Sequence, residues 1–514
     1  MSELIEGYLD DLAQGRLPAI ARELGVPVDE VARMKRVVRG MNPRPGSAFY
    51  QRPDSRYVIP DIIVRRKGSD FTVEVRQADG PWIGVDTYPV KVDEVVDARH
   101  NVRVASMAYF DFDGAPVEVR VCCLKADAID SCRVRPLSYG ITPSVDGKCL
   151  TFTLDRPRNL SVEVNGDIFH NLHLFAGAPD ANRPSAKVLK NLKKHKNLIY
   201  FAPGLHRLPG DTLRVPSGTT VYVDGGARVL GTLIADGVRD VRFFGRGEIH
   251  PEGRGAGIEI RRSRNVEADG VIVTQIPVGE SDSVRISNVK SISSYGWGDG
   301  MNVFASSNVS YDGVFCRNSD DCSTVYATRK GFRGGCRNIL MENSTLWADV
   351  AHPIMIGLHG NVEQPDTIEN VTYRNIDILD HCEKQLDYQG CFGISCGDNN
   401  LVRDITFDNI RVEDFRQGQL VNIRIFFNKK YCLAPGRGVY NVLFKDIDYR
   451  GTRSEMSVIA GYDDSRPVSG ITFENLRING VHIADDMTGK PKWYKTGDMA
   501  RIFIGEHVDN VVFK

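Results

Sequence analysis

The chain has 514 residues and a net charge of −1, because 65 basic and 66 acidic side chains nearly cancel. That balance removes the general electrostatic case for a nucleic-acid or membrane-surface partner, and no apolar run approaches the roughly 20 residues of a membrane span. The length exceeds one ordinary compact core, so about two to four domains or a repeat architecture are expected.

Abundant Gly, recurrent Asn and apolar runs of Val, Ile and Phe favour many short strands over long helices. The 11 Cys form an odd set without framework spacing, which fits a reducing compartment. Cys122 and Cys123 are adjacent and read as buried thiols, without a bridge or a metal role. The opening MSELIEGYLDDLAQG lacks the basic and apolar regions of a secretory signal, so a cytoplasmic location is expected.

In chain order, the first element is helical. Leu17, Ile20 and Leu24 recur at helical spacing, Gly25, Val26 and Pro27 break the pattern, and Val28, Val31, Met34 and Val38 resume it. Asp29 and Glu30 fall in the first turn of the second helix, where negative charge complements the helix dipole. A helical pair alone is weak evidence for DNA binding. Its continuation, IARELGVPVDEVARMKRVVRGMNPRPGSAF at 20–49 with RYVIPDIIVRRKGSDFTVEV at 56–75, resembles the core-binding region of bacterial sigma-54 transcription factors. The resemblance covers residues 1–76 and is best at Asn42-Pro43-Arg44-Pro45-Gly46. It implies RNA polymerase or DNA as an alternative partner. The activator-responsive region and promoter-reading helix-turn-helix of those factors are not found here, and a fused or vestigial fragment is the plainer reading.

From Trp82 to Pro184 the text changes to short alternating runs, Val102 to Tyr109, Val117 to Val121, Cys149 to Leu154 and Leu160 to Val164. Turn signals at Asp113-Gly114, Asp146-Gly147 and Asn165-Gly166 separate them, which outlines a β-sandwich over residues 82–184. Beyond Leu189 one phrase recurs, as RDVRFFGRGEI at 239–249, RNVEADGVIV at 264–273, SNVSYDGV at 307–314, ENVTYRNIDIL at 369–379 and SGITFENLRI at 469–478. Its spacing varies from roughly 18 to 40 residues, as expected of coils whose loops differ in length. Stacked coils bury a continuous column of Val, Ile and Phe, and the recurrent Asn can form amide ladders at the turns. Residues 189–514 are therefore expected to form a parallel β-helix.

The chemistry concentrates between Tyr295 and Asn361. This window holds Asp299 in a Gly-Asp-Gly turn, the pair Asp320 and Asp321, and His352, a set suited to acid/base catalysis. Stacking places Asp299 and Asp320 one coil apart, roughly 4.8 Å, so carboxylates can flank one scissile bond. Clustered carboxylates cannot all ionise cheaply, so at least one pKa rises, as a general acid requires. Each Asp taken singly is equally a turn cap, and His359 and His381 read as loop or core histidines. Asp398-Asn399-Asn400 and Tyr462-Asp463-Asp464 are ascribed to turn chemistry. No spacing specific to zinc or calcium is present, and no metal or cofactor is expected.

Together with FAPGLHRLPG at 201–210, VPSGTTVYVDGGARVLG at 215–231 and GRGEI at 245–249, this window resembles the polygalacturonase-type glycoside hydrolases and, more remotely, the dextranase group with its N-terminal β-sandwich. The resemblance spans residues 82–514 and implies a right-handed parallel β-helix. It also implies roles, with Asp320 protonating the leaving oxygen, Asp299 and Asp321 holding the attacking water, and His352 tuning or orienting the acid. The family's Asn-x-Asp-Gly reads here Trp297-Gly298-Asp299-Gly300, and Trp297 is a candidate for stacking on a sugar ring. The basic Arg-Ile-Lys motif has a partial counterpart in Asn422-Ile423-Arg424-Ile425, followed by Lys429 and Lys430, which makes Arg424 and Lys429 candidate substrate ligands. One-coil spacing by itself suggests retention of configuration, whereas the resemblance implies inversion. The expected function is hydrolysis of an oligo- or polysaccharide, a pectin-like galacturonide foremost. The alternatives are a non-catalytic carbohydrate-binding β-helix and a transcription-related protein using the first 76 residues.

Overall fold

The structure is a computed structural model describing residues 16–40, 69–96, 99–294, 296 and 298–514. It divides into two compact units, Met1–Arg65 and Arg66–Lys514.

Among its described residues the first unit contains two helices, Leu17–Leu24 and Val28–Gly40. Gly25 ends the first in the left-handed region at φ +64°, its N–H bonded to the Ala21 carbonyl. Ile20, Ala21 and Val31 are buried, with Leu17, Leu24, Val26 and Met34 packed around them. Val28, expected on the apolar face, is exposed at the first position of its helix. The side chain of Val38 and the stretch Asn42-Pro43-Arg44-Pro45-Gly46 lie outside the described residues.

The second unit begins with two five-stranded sheets. One runs Ile83–Val85, Phe71–Gln77, Val117–Cys123, Cys149–Leu154, Ser144–Asp146, and the other Thr87–Val96, Arg99–Asp111, Asp167–Gly177, Arg158–Val164, Cys132–Arg135. Alternate residues Val117, Val119 and Val121 turn inward to meet Phe71, Val73, Leu160 and Leu172 in a shared core. The turn signals serve as expected, with Gly114, Gly147, Asn165 and Gly166 all at positive φ.

Two expectations need correction. The first sandwich strand starts at Phe71, not beyond Trp82, because Phe71 and Val73 alternate into the core. Cys122 is not a free thiol but is disulfide-bonded to Cys149, its register partner on the neighbouring strand, with Cα atoms 4.0 Å apart. Adjacency of Cys122 and Cys123 precluded a bridge between them, but it also put them on opposite faces of the strand. Cys123 faces the core as a buried thiol, and Cys122 meets a partner across the sheet.

The remainder is a parallel β-helix, a 28-stranded sheet running from Leu198–Phe201 to Val508–Phe513. The recurring phrases fall into one register, with Val241, Val266, Val284, Val309, Ile339, Val371, Ile405, Val442, Ile471 and Val511 aligned coil upon coil. Two residues further on, Phe407, Phe444, Phe473 and Phe513 stack at 4.7–4.8 Å between ring centroids, matching the spacing of strands. Asn308, Asn338 and Asn370 form an amide ladder with bonds of 2.9 and 2.7 Å, each Asn at positive φ. Phrase, aromatic stack and Asn ladder are one repeat seen three ways.

Val92, Ala105, Met107 and Phe175 dock the sandwich onto Ile272, Ile292 and Phe315 of the β-helix. Buried ion pairs pin this junction. Arg135 reaches Glu413 at 2.7 Å, and Arg317 binds Asp349 at 2.8 and 3.1 Å while donating to Asn171 and the Ile168 carbonyl of the sandwich. Removing one partner of such a pair typically costs about 3–5 kcal/mol, so the sandwich is held in a fixed position. Among the described residues no helix is long and apolar enough to cross a membrane.

Candidate active site

Three short strands set the geometry. Met301–Phe304 pairs with Ser323–Tyr326, which pairs with Ile354–Ile356, in the register Met301↔Ser323↔Ile354. Two residues upstream the same alignment stacks Asp299, Asp321 and His352 in one column. Backbone hydrogen bonds of 2.8 Å join its levels, from the Gly300 N–H to the Asp321 carbonyl and from the Cys322 N–H to the His352 carbonyl. The one-coil neighbour of Asp299 is thus Asp321 and not Asp320, which corrects the expected pairing. Asp320 sits one residue earlier, its Oδ1 accepting the Asp321 N–H at 3.0 Å.

All three carboxylates line one cavity of about 530 Å³. His352 is fully buried behind it. Its Nδ1 lies 2.7 Å from Asp321 Oδ1, and its Nε2 contacts the Tyr388 carbonyl. Both partners only accept, so the ring is placed to donate from both nitrogens. Asp321 also accepts the His352 N–H at 3.2 Å and the Tyr326 hydroxyl at 3.0 Å. The direct partner of His352 is therefore Asp321, and any influence on Asp320 passes through that carboxylate.

Burial raises the Asp299 carboxyl to about 6, with the nearby Asp321 adding to the rise. The Asn302 amide, 2.7 Å from Asp299 Oδ2, opposes it, as do the Lys330 and Arg329 charges. Asp320 is pushed well above the usual carboxylate range by burial and by its two carboxylate neighbours. Burial alone would lower His352, but the Asp321 carboxylate outweighs it and the net movement is upward. One imidazole and three carboxylates thus divide into a group that holds its proton, a group near neutrality and a tightly bonded Asp–His pair.

Cations share the cavity wall. Arg329 and Lys330 stand on the loop after Ser323–Tyr326, and Lys384 and Lys430 come from later coils. Arg329 and Phe332 exchange both backbone hydrogen bonds, at 3.0 and 2.9 Å, around Lys330 and Gly331 at φ +51° and +86°. That is a two-residue turn with both central residues left-handed, which suits Gly and fixes Lys330 at its tip.

The other expected residues fare differently. Arg424 lies inside the strand Val421–Ile425, its Nε 3.0 Å from Asn422 Oδ1, and is not among the residues lining the cavity. Lys429 is exposed and also outside that lining, whereas its neighbour Lys430 belongs to it. Trp297 lies outside the described residues. His381 is a core histidine, its Nδ1 2.7 Å from the Ala351 carbonyl and its Nε2 accepting the Gly390 N–H. His359, read as a loop or core residue, lines the cavity, ring edge against Tyr326 at 5.0 Å, and burial lowers it to about 3 so that it is neutral. Asp398 accepts backbone N–H groups of Leu433, Ala434 and Gly360, in keeping with turn chemistry.

Sequence reasoning missed Glu383, Lys384, Tyr388, Arg329 and Lys330. The last two stood in plain view as Arg-Lys-Gly just after a strand, a turn signal carrying charge. Glu383 and Tyr388 had no local signal, since the loop joining Thr367–Asp380 to Phe392–Cys396 brings them in from a later coil.

Residues 257–493 match the family model for glycosyl hydrolases family 28, and residues 1–88 that for the sigma-54 factor core binding domain. The first span contains Asp299, Asp320 and Asp321 and bears out the glycosidase reading of the central window. The chain is 30% identical over 83 residues to the RNA polymerase sigma-54 factor of Pseudomonas putida, and 30% identical over 105 residues to that of Caulobacter vibrioides. These stretches cover 16% and 20% of this chain and only 16% and 19% of the relatives. Among solved structures, the family 28 exopolygalacturonase of Yersinia enterocolitica aligns at 11% identity and a TM-score of 0.41, covering 78% of this chain and 97% of the other. The polygalacturonase of Erwinia carotovora ssp. carotovora aligns at 13% identity and 0.42, covering 65% and 94%.

Proposed function

We propose that this chain, which carries a glycosyl hydrolases family 28 domain in its β-helix, hydrolyses an acidic, pectin-like galacturonide with inversion at the anomeric carbon. The observation carrying this reading is one cavity that gathers Asp299, Asp320 and Asp321 with Arg329, Lys330, Lys384 and Lys430. The carboxylates supply acid and base, and the cations suit the carboxylate of a uronate ring.

In the proposed mechanism Asp320 starts protonated, as its raised pKa favours, and gives that proton to the glycosidic oxygen as the bond to the anomeric carbon breaks. A water held between Asp299 and Asp321 attacks that carbon from the opposite face. Its proton passes to Asp299, which is ionised above about pH 6. Asp321 orients the water without taking the proton, since both its oxygens already accept from His352 and Tyr326. Asp320 ends as a carboxylate and Asp299 as an acid, and exchange with solvent restores both.

The test is hydrolysis of a panel of galacturonides, rhamnose-containing fragments and α-glucans by the wild type and Asp320→Asn, with the first product anomer read by NMR. Galacturonide turnover with an inverted product, lost in the variant, supports the reading. Wild-type rates in Asp320→Asn, or a preference for neutral glucans, refutes it.

The match of residues 1–88 motivates a second reading, binding to the core of RNA polymerase. Pull-down of core polymerase by the full chain tests it, and an empty pull-down at micromolar concentration rejects it.

A further inference from the structure

The wall of the catalytic cavity is not built by the β-helix alone. Strands Thr87–Val96 and Arg99–Asp111 form a hairpin of the sandwich, paired in the register Val95↔His100. Val95 and His100, near its tip, line the cavity with the three carboxylates. Further down, Val90, Lys91, Val104 and Met107 line a second cavity of about 520 Å³ on the earlier coils. Among the described residues the two cavities share no lining residue, and Gly298 lines the second whereas Asp299 lines the first. The hairpin is the element that borders both.

There the hairpin sits hard against the β-helix. A Cβ on Gly296 would lie 2.6 Å from His100 Nε2, so the imidazole packs directly over Gly296, and a side chain there would have to displace the ring. His100 Nδ1 is 2.6 Å from the fully buried Asp93 carboxylate. The Asp93 N–H points to Asp349 Oδ2 at 3.5 Å, and Asp349 is the buried partner of Arg317. The ring is thus tied, through Asp93 and the buried ion pair, to the junction that fixes the sandwich on the β-helix. Such a group is a built wall, not a side chain lying in the groove by chance.

We propose that this hairpin, with His100 seated on Gly296, is the end wall of the catalytic cavity, so that the protein acts from a chain end. The inference rests on the glycosidase reading above and names its mode of action. A cavity of about 530 Å³ accommodates only a few sugar rings, and a polymer threading past Asp299 toward the earlier coils meets His100. The terminal unit of an acidic oligosaccharide abuts His100, the scissile bond lies at the carboxylates, and the rest of the chain leaves past Lys384 and Lys430.

Two measurements test this. In the first, long galacturonide is digested by the wild type and by His100→Ala, and product length is followed from the first minutes by chromatography alongside viscosity. The wild type is expected to release mono- or disaccharide from the outset with little fall in viscosity. His100→Ala is expected to shift early products toward longer fragments, a readout that a loss of folding alone would not move. In the second, Asp320→Asn is titrated with galacturonide tetramers that are unlabelled or carry a bulky fluorophore at one end or the other. One labelled form should bind at least tenfold more weakly than the rest.

Internal cleavage by the wild type, with viscosity falling before reducing ends accumulate, overturns the wall and leaves the glycosidase reading intact. An end-label asymmetry without any wild-type turnover keeps the wall and overturns the glycosidase reading. Equal binding of both labelled forms, or no binding of any form, refutes the seating of an acidic chain end in this cavity.

Discussion

Replacing Asp299 by Asn should abolish turnover and at the same time make the protein more stable, and the size of the gain follows from the site. The Asp299 carboxyl rises from 3.8 to about 6 because burial and Asp321 both oppose its ionisation. Each tenfold change in proton affinity is worth about 1.4 kcal/mol, so holding Asp299 ionised in the folded state costs at most about 3 kcal/mol. The sign runs as for any carboxyl raised on folding. Below pH 3.8 it is protonated in both states and costs nothing. Between pH 3.8 and about 6 the unfolded chain loses its proton while the folded chain keeps it, and stability falls. Above about 6 the loss is complete. Asn keeps the acceptor oxygen facing Asn302 Nδ2 and removes the charge, so the variant should escape this loss. Urea unfolding of both proteins at pH 4 to 8 should show a stability difference near zero at the acid end, growing to about 3 kcal/mol by pH 7. A difference independent of pH, or a less stable variant at pH 7, would refute the electrostatic account of the site.

Asp320→Asn should lower kcat by about 10²–10⁴-fold with little change in KM, as expected when a general acid is removed and binding is kept; steady-state kinetics decide it. The pH profile of kcat/KM should climb through about 6 as Asp299 ionises and fall on the alkaline side as Asp320 loses its proton, and Asp320→Asn should have no such alkaline limb. Lys330→Ala should raise KM for a free galacturonide by about tenfold but leave its neutral methyl ester unaffected, with the contrast shrinking at high salt. Within the β-helix, Phe444→Ala should cost about 3–5 kcal/mol by opening the aromatic stack. Asn338→Ala should cost about 1–2 kcal/mol by placing Ala at φ +56°, before its amide bonds are counted. Chemical denaturation measures both.

The architecture was legible because a β-helix writes its core into the sequence as a repeat. Val266, Val284 and Val309 hold the same place in each recurring phrase, and the backbone aligns them in the same way. The column Asp299, Asp321, His352 was half legible. The sequence shows the residues, but its repeat pairs Asp299 with the position before Asp321, and a slip of one residue along a strand turns every side chain to another face. The cation wall was misjudged for a different reason. Arg424 was chosen from a motif, yet it lies within a strand, whereas the column position before that strand falls to Gln419. Lys330 owes its place to a turn whose geometry only becomes plain when Arg329 and Phe332 are seen to pair. The strand Val102 to Tyr109 was legible, but the residues that its hairpin brings to the cavity were not. His100 carries no local signal, and its meeting with Gly296 spans almost 200 residues of chain.

The stacking of Asp299 on Asp321 and of Asp321 on His352 makes the peptide backbone a ruler for the chemistry. The rise from one functional group to the next is set by one N–H···O=C bond per level, which no side-chain substitution can lengthen. Loops on the rim can therefore grow, shrink or change sign, remodelling which sugar is admitted, while the interval between the reacting groups stays that of neighbouring strands. In such a protein substrate range and catalytic geometry are inherited separately, the one written in loops and the other in the pitch of the coil.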